Sequence, residues 1–262
     1  MDCTNCIWYR RSDWIVLGKT TNAWGAGTTL TVNPAHYREP IQTCAWDCQL
    51  IAAISSVLWV NISLSLKLEK IGIPSIYSIT FYDGGNSLKQ VYVTDNLLCN
   101  PSNQLIWAYN QYNGSDIWPA LFEKAFAAFC EDLSSSLSNP IDKPGWPCSD
   151  PAKPKFGSGF IDYNGAMNHR LVKYRLAKQD ATLSNIYNLP FDATGKIMYP
   201  AIALTKANLS NPPANIASNH AYSVLSKNGT NLVLRNPKTD VIYTITQSVY
   251  NAYFSAYQYI VP

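Results

Sequence analysis

The sequence predicts an α+β fold: a mainly helical part over residues 1–155, then an antiparallel β part over residues 156–262. Three observations carry that expectation. Two apolar stripes at helical spacing lie before residue 130, and five short apolar or aromatic runs separated by turn residues lie after residue 197. Between them, Asn139 to Gly159 holds five prolines and three glycines, a composition regular structure does not accommodate and the natural boundary of the two parts.

Composition sets the class. The chain has 262 residues, 47% hydrophobic and only 14% charged, enough for a sizeable core or for two lobes sharing a cleft, and the reverse of a disordered composition. Its longest nearly apolar run, Leu50 to Val60, is well short of the roughly 20 residues of a spanning helix, so no membrane span is expected. With 20 basic against 17 acidic residues and no basic run beyond Arg10-Arg11, nucleic acid is not an expected partner. Seven cysteines are too few for a disulfide scaffold, and their odd number leaves at least one thiol free unless it pairs between chains. Together with an opening segment that lacks the apolar core of a secretory leader, this points to a cytoplasmic protein.

Along the chain, residues 1 to about 40 read as an irregular or short-stranded segment. Leu50, Ile51, Ile54, Val57 and Leu58 share one helical face, so a buried helix is expected from Cys48 to about Val60. Ser78 to Phe81 and Val91 to Thr94 flank the turn residues Asp83-Gly84-Gly85-Asn86 and should form a hairpin. Ser115 is placed to cap a second helix whose apolar face runs from Ile117 to Phe129, with Pro119 in its first turn. The later runs, Met198 to Leu204, His220 to Leu225, Leu232 to Leu234, Val241 to Thr246 and Tyr257 to Val261, are expected strands.

Chemistry enters at Cys48. A thiol in the first turn of a helix meets unpaired N–H groups and the positive end of the macrodipole, which favour its thiolate. A buried, inert cysteine is the plain alternative, so the nucleophile reading requires a base and a group that orients it. There are three histidines. His36 lies in the irregular opening segment and His169 in a polar stretch, whereas His220 opens an apolar strand that turns through Lys227-Asn228-Gly229 and returns to Asn236. A three-residue loop there would pair Ser226 with Thr230 and set His220 directly opposite Asn236, an amide suited to hold the ring. A different loop length destroys that opposition.

Three segments then form an ordered pattern: Gln42-Thr43-Cys44-Ala45-Trp46-Asp47-Cys48-Gln49-Leu50, His220-Ala221-Tyr222-Ser223-Val224 and Leu234-Arg235-Asn236-Pro237. With the intervening Trp118-Pro119-Ala120-Leu121-Phe122-Glu123-Lys124-Ala125-Phe126, the chain from about residue 39 to 240 resembles the calpain branch of the papain-like cysteine proteases. The resemblance implies a papain-like two-lobed core with the nucleophile on one lobe and the His and Asn on the other. It also implies a cysteine endopeptidase acting on protein or peptide substrates. Carried over by residue, Cys48 is the nucleophile, His220 the general base and acid, Asn236 the ring orienter and Gln42 an oxyanion donor. No cofactor is implied for the chemistry, but calcium is implied as an activator, with Glu39 and Glu123 as its carboxylates; unrelated surface glutamates are the alternative.

The flanks depart from the family pattern. Thr43 and Trp46 stand where it has glycine, and Gln49 and Lys238 where it has tryptophan; Lys238 removes the ring that usually shields the His–Asn bond. These changes motivate the alternative of a catalytically impaired papain-like fold that binds or inhibits. A third expectation is acyl transfer to an amine by the same acyl-enzyme. Cys3 and Cys6 have a metal-ligand spacing without a second pair to complete a site, and Cys44, four residues from the nucleophile, is a candidate disulfide partner for it.

Overall fold

The computed structural model describes residues 7–11, 28–32, 37–44, 47–62, 64–82, 87–144, 175–180 and 183–261. The elements in chain order are β1 (Ile7–Tyr9), β2 (Thr28–Val32), β3 (Pro40–Ile41), α1 (Cys48–Trp59), β4 (Leu64–Lys70), β5 (Ile76–Tyr82), β6 (Leu88–Thr94), β7 (Leu97–Cys99), β8 (Tyr109–Asn110) and α2 (Trp118–Cys130). There follow β9 (Arg175–Asp180), a 3-10 turn over Leu183–Asn188, β10 (Ala201–Thr205), β11 (Ala221–Asn228), β12 (Asn231–Arg235), β13 (Ile242–Ile245), α3 (Gln247–Tyr253) and β14 (Phe254–Val261). The fold is α+β with antiparallel sheets: one of four strands in the order β2-β4-β5-β6, one of six in the order β13-β12-β11-β10-β14-β9, and the small pairs β1-β7 and β3-β8.

The first part of the chain is therefore not mainly helical. Among its described residues eight strands accompany two helices. The physical reason is visible in β4, where Leu64, Leu66 and Leu68 alternate with more polar residues and point one buried face at the core. The expected hairpin forms as β5 and β6, in continuous register from Ile76 against Thr94 to Tyr82 against Leu88. Phe81 of β5 meets Phe126 and Phe129 of α2 with ring centroids 5.5 and 5.1 Å apart. α2 starts at Trp118 with Pro119 in its first turn, where a missing N–H costs nothing; its N-cap residue is Ile117, and Ser115 is not the cap. The boundary expected at residue 155 lies outside the described residues.

The second part follows the sequence more closely, since the five expected strands appear as β10 to β14 with shifted ends. The period-two alternation of β10 sorts its side chains onto two faces. Ile202 and Leu204, with Ala221 and Ile260, join the core shared with α1 and α2. Ala201 and Ala203, with Tyr222, Val224 and Leu234, join a second core closed by Tyr250 of α3 and Ile186. α1 lies on the first face and is fastened to it by hydrogen bonds. Ser56 Oγ donates to Ala201 O (2.9 Å) and accepts from Ala201 N (2.7 Å), and Ser223 Oγ donates to Ala52 O (2.8 Å). No helix among the described residues is long and apolar enough to cross a membrane.

Candidate active site

Cys48 is the first residue of α1, as the helical periodicity predicted. The chain enters the helix through Asp47, whose carbonyl accepts Leu50 N (2.8 Å) and Ile51 N (3.2 Å). The N–H of Cys48, at the first helical position, has no intrahelical acceptor and remains a donor at the helix end. The sulfur is a free thiol, half-buried. Burial pushes the thiol up to about 11, the adjacent Asp47 charge adds to that, and N–H groups of Ala221, Gln49 and Cys48 itself pull it back. Desolvation thus outweighs the helix terminus, and the expected resting thiolate is corrected to a thiol.

His220 and Asn236 are brought together, but not by the register the sequence suggested. The β11–β12 loop is two residues, Gly229-Thr230, with Asn228 paired to Asn231. Gly229 has φ of 59° and Thr230 is not among the positive-φ residues, a pattern of turn that glycine at the first loop position permits. Carried on unbroken, that pairing would place His220 and Asn236 on opposite faces. A bulge between Val224 and Ser226 shifts the register to Val224 against Leu234 and Ser223 against Arg235. Extended by one step, the shifted register sets Asn236 opposite Tyr222, and His220 becomes its diagonal neighbour on the same face. The bulge is held by α1, since Trp59 Nε1 donates to Leu225 O at 2.7 Å.

The side chains close that diagonal: His220 Nε2 lies 2.9 Å from Asn236 Oδ1. The same oxygen accepts Lys238 N at 2.9 Å, which identifies it as the amide oxygen. Nε2 therefore carries the proton of the neutral ring and Nδ1 is the lone-pair nitrogen. Thr205 locks the His220 backbone, with Thr205 Oγ1 accepting His220 N at 2.8 Å and Thr205 N donating to His220 O at 2.9 Å. Burial holds the His220 pKa below its ordinary value; the Asn236 bond opposes this and the Lys238 charge reinforces it. Despite Lys238, the His–Asn bond is shielded. Both residues are buried, and Tyr222 sits edge-on to the ring at 5.0 Å.

Gln42, Cys48, His220 and Asn236 line one cleft of about 660 Å³. Gln42 N donates to Pro237 O (2.9 Å), so the Gln42 strand is stitched to the residue after Asn236. No hydrogen bond joins the Cys48 thiol to the His220 ring directly; the thiol takes its bond from the N–H of Ala221, the residue next to His220. Gln49 also lines the cleft. His36, His169, Trp46, Cys3 and Cys6 lie outside the described residues. Cys44 is disulfide-bonded, and its partner is not Cys48, which is free.

Two clusters beside the cleft were not foreseen. Asp47 and Glu123 are buried at 4% and 0% exposure. The two carboxyls face each other as hydrogen-bond partners, which requires a proton between them, and the backbone N–H of Asp47 is the further donor to its own carboxyl. Burial pushes Asp47 up to about 6 even though its bond with Glu123 opposes this. Burial, the Asp47 charge and that same bond raise Glu123 well above the usual carboxyl range. Both carboxyls are held above the usual range, and the pair shares a proton. Their 76-residue separation gives the sequence no signal of the contact.

The second cluster centres on Arg235, fully buried. Its Nε donates to Asp240 Oδ1 (2.6 Å), its Nη1 to Ser55 Oγ (2.6 Å), and its Nη2 to the carbonyls of Arg38 (3.0 Å) and Pro40 (2.9 Å). Asp240 Oδ2 also accepts Arg38 Nε (2.9 Å) and Gln111 Nε2 (2.8 Å). Burial alone would raise the Asp240 pKa, but these bonds from Arg38, Gln111 and Arg235 hold it below the usual range. The clasp joins α1, β3, β12 and the loop carrying Asn236.

The two glutamates that the resemblance assigns to calcium both have protein partners. Glu39 Oε2 accepts Asn110 Nδ2 (3.0 Å) and Trp118 Nε1 (2.8 Å), and Glu123 is the hydrogen-bonded partner of Asp47. Among the described residues no group of three or more His, Cys, Asp or Glu could hold a metal. With Glu39 Oε2 engaged by two N–H donors and Glu123 engaged by Asp47 and the Ala108 N–H, these two carboxyls are held by the protein rather than displayed as part of the oxygen shell of 6–8 ligands that calcium takes. No protein-family model matches this chain, and no curated protein matches it significantly.

Proposed function

We propose that the protein is a cysteine endopeptidase of papain-like, two-lobed architecture, related to the calpain branch, that cleaves protein or peptide substrates through Cys48, His220 and Asn236. The observation that carries this reading is the His220 Nε2–Asn236 Oδ1 bond of 2.9 Å on the wall of the cleft that also holds Cys48 at the start of a helix. An amide orienting a histidine by one nitrogen leaves the other to act on a thiol.

In this mechanism the Cys48 sulfur attacks the scissile carbonyl as its proton passes to His220 Nδ1. The resting pair is neutral, so proton transfer accompanies attack rather than preceding it. The Gln42 side-chain amide and the Cys48 N–H hold the oxyanion, donors worth about 10²–10³ in rate each. Collapse breaks the C–N bond, and Nδ1–H protonates the leaving amine. Water then attacks the thioester, giving its proton to His220, and expulsion of the sulfur restores the thiol.

The raised Cys48 pKa and the absence of a direct thiol–ring bond favour the second reading, a papain-like fold that binds without turnover. Incubation with a peptide ester, followed by intact-mass analysis and peptide mapping, separates the two. A transient acyl adduct on Cys48 with released product supports the peptidase, and a folded protein that binds peptide but forms neither adduct nor product supports the binder. Product formed only when an added amine accepts the acyl group indicates transfer instead.

A further inference from the structure

The chemistry just described makes no use of Lys238, which lines the same cleft. Its backbone is fixed, because its N–H donates to Asn236 Oδ1 at 2.9 Å and the preceding carbonyl, of Pro237, accepts Gln42 N. Its side chain is exposed and, among the described residues, no carboxylate pairs with it. Apart from His220, the described cleft lining holds two residues of the Asp, Glu, Lys and Arg types, Asp47 and Lys238. Asp47 is buried at 4% exposure and turned to Glu123, so among the described residues the open cleft presents one accessible charge, and it is positive.

Resting on the peptidase reading, we infer that Lys238 is a specificity-determining residue that selects substrates carrying a carboxylate on the leaving-group side of the scissile bond. The side follows from the chemistry. His220 delivers its proton to the leaving amine, so the wall formed by His220, Asn236 and Lys238 borders the half of the cleft that the departing segment occupies. The Lys238 charge is felt at the ring, where it lowers the His220 pKa, so the ammonium is within electrostatic reach of the reacting groups. A substrate carboxylate there meets an exposed cation that no described carboxylate neutralises, which favours encounter and register over the corresponding cationic peptide. The carboxylate can belong to an Asp or Glu side chain or to a substrate C-terminus.

The test compares kcat/KM for otherwise identical peptides with Glu, Gln or Lys at the second and third residues after the cleaved bond, each as the C-terminal amide and the free acid. The wild-type protein is expected to prefer Glu over Lys by about 5- to 10-fold at low salt, shrinking as ionic strength rises to about 0.5 M. Lys238→Glu reverses that ratio and Lys238→Gln brings it close to one. A preference for free acids over amides that Lys238→Gln removes, whatever the internal residue, assigns the carboxylate to the substrate C-terminus; a Glu-over-Lys preference that persists in the amides assigns it to a side chain. Glu-to-Lys and acid-to-amide ratios that are both equal in wild type and Lys238→Glu overturn the inference. Folded protein that cleaves no peptide of either charge overturns the peptidase reading and this inference with it, and is recognised by the absence of turnover rather than of preference.

Discussion

Burial pushes two free thiols, Cys48 and Cys99, up to about 11. Cys99 ends β7 wholly buried, with its sulfur 4.0 Å from the carbonyl of Leu97, and it lies outside the cleft. Cys48 begins a helix, receives N–H groups from two elements and opens onto the cleft it shares with His220 and Gln42. A shared ionisation range with such different surroundings shows that the resting pKa is not what marks a nucleophile here. The distinguishing features are a base to take the proton and donors to take the developing charge.

Removing those features one at a time should erase the difference between the thiols, most steeply at the base. His220→Ala is expected to lower peptide hydrolysis by about 10⁴-fold or more, measured as kcat/KM, while leaving thermal unfolding nearly unchanged. Arg235→Ala attacks the frame rather than the chemistry. It strips Asp240 of a buried partner and frees the Arg38 and Pro40 carbonyls, so a loss of about 3–5 kcal/mol in denaturant unfolding is expected. Gln42→Ala should cost about 10²–10³ in kcat with little change in KM, as befits a donor used only in the transition state.

The Asp47–Glu123 pair gives a smaller effect with a definite sign. Both pKa values are raised in the folded protein, so between about pH 4 and the folded values the folded state binds more protons than the unfolded chain. This contribution to stability is complete below about pH 4 and is lost as pH rises through about 6 and beyond. Glu123→Gln should therefore flatten the fall in unfolding free energy across that window, read from denaturant unfolding at a series of pH values, and leave stability below about pH 4 less affected.

The parts of this arrangement that could be read in the sequence are those set by short-range pattern. α1 and the β5–β6 hairpin follow directly from periodicity and turn residues. β4 carries its own signal in the alternation of Leu64, Leu66 and Leu68 with more polar residues. α3 spans seven residues, too few for a helical stripe, and β9, Arg175–Asp180, has little apolar alternation. The His220–Asn236 pairing rests on a two-residue turn and a bulge rather than on a three-residue loop; neither is fixed by the residues alone, and together they restore the shared face. The Arg38–Asp240 and Asp47–Glu123 contacts join residues far apart in the chain, and nothing local announces them.

The central claim is that Cys48 and His220 act as one unit across the cleft. It is tested most directly by the pH dependence of iodoacetamide alkylation at Cys48 and at Cys99, followed in the same sample by peptide mapping. In the wild-type protein, Cys48 should react much faster than Cys99 near neutral pH, with a limb below the ordinary histidine range where His220 becomes protonated; His220→Ala should remove both the limb and the advantage. Equal rates at the two thiols, or a Cys48 profile unchanged by His220→Ala, would contradict the account.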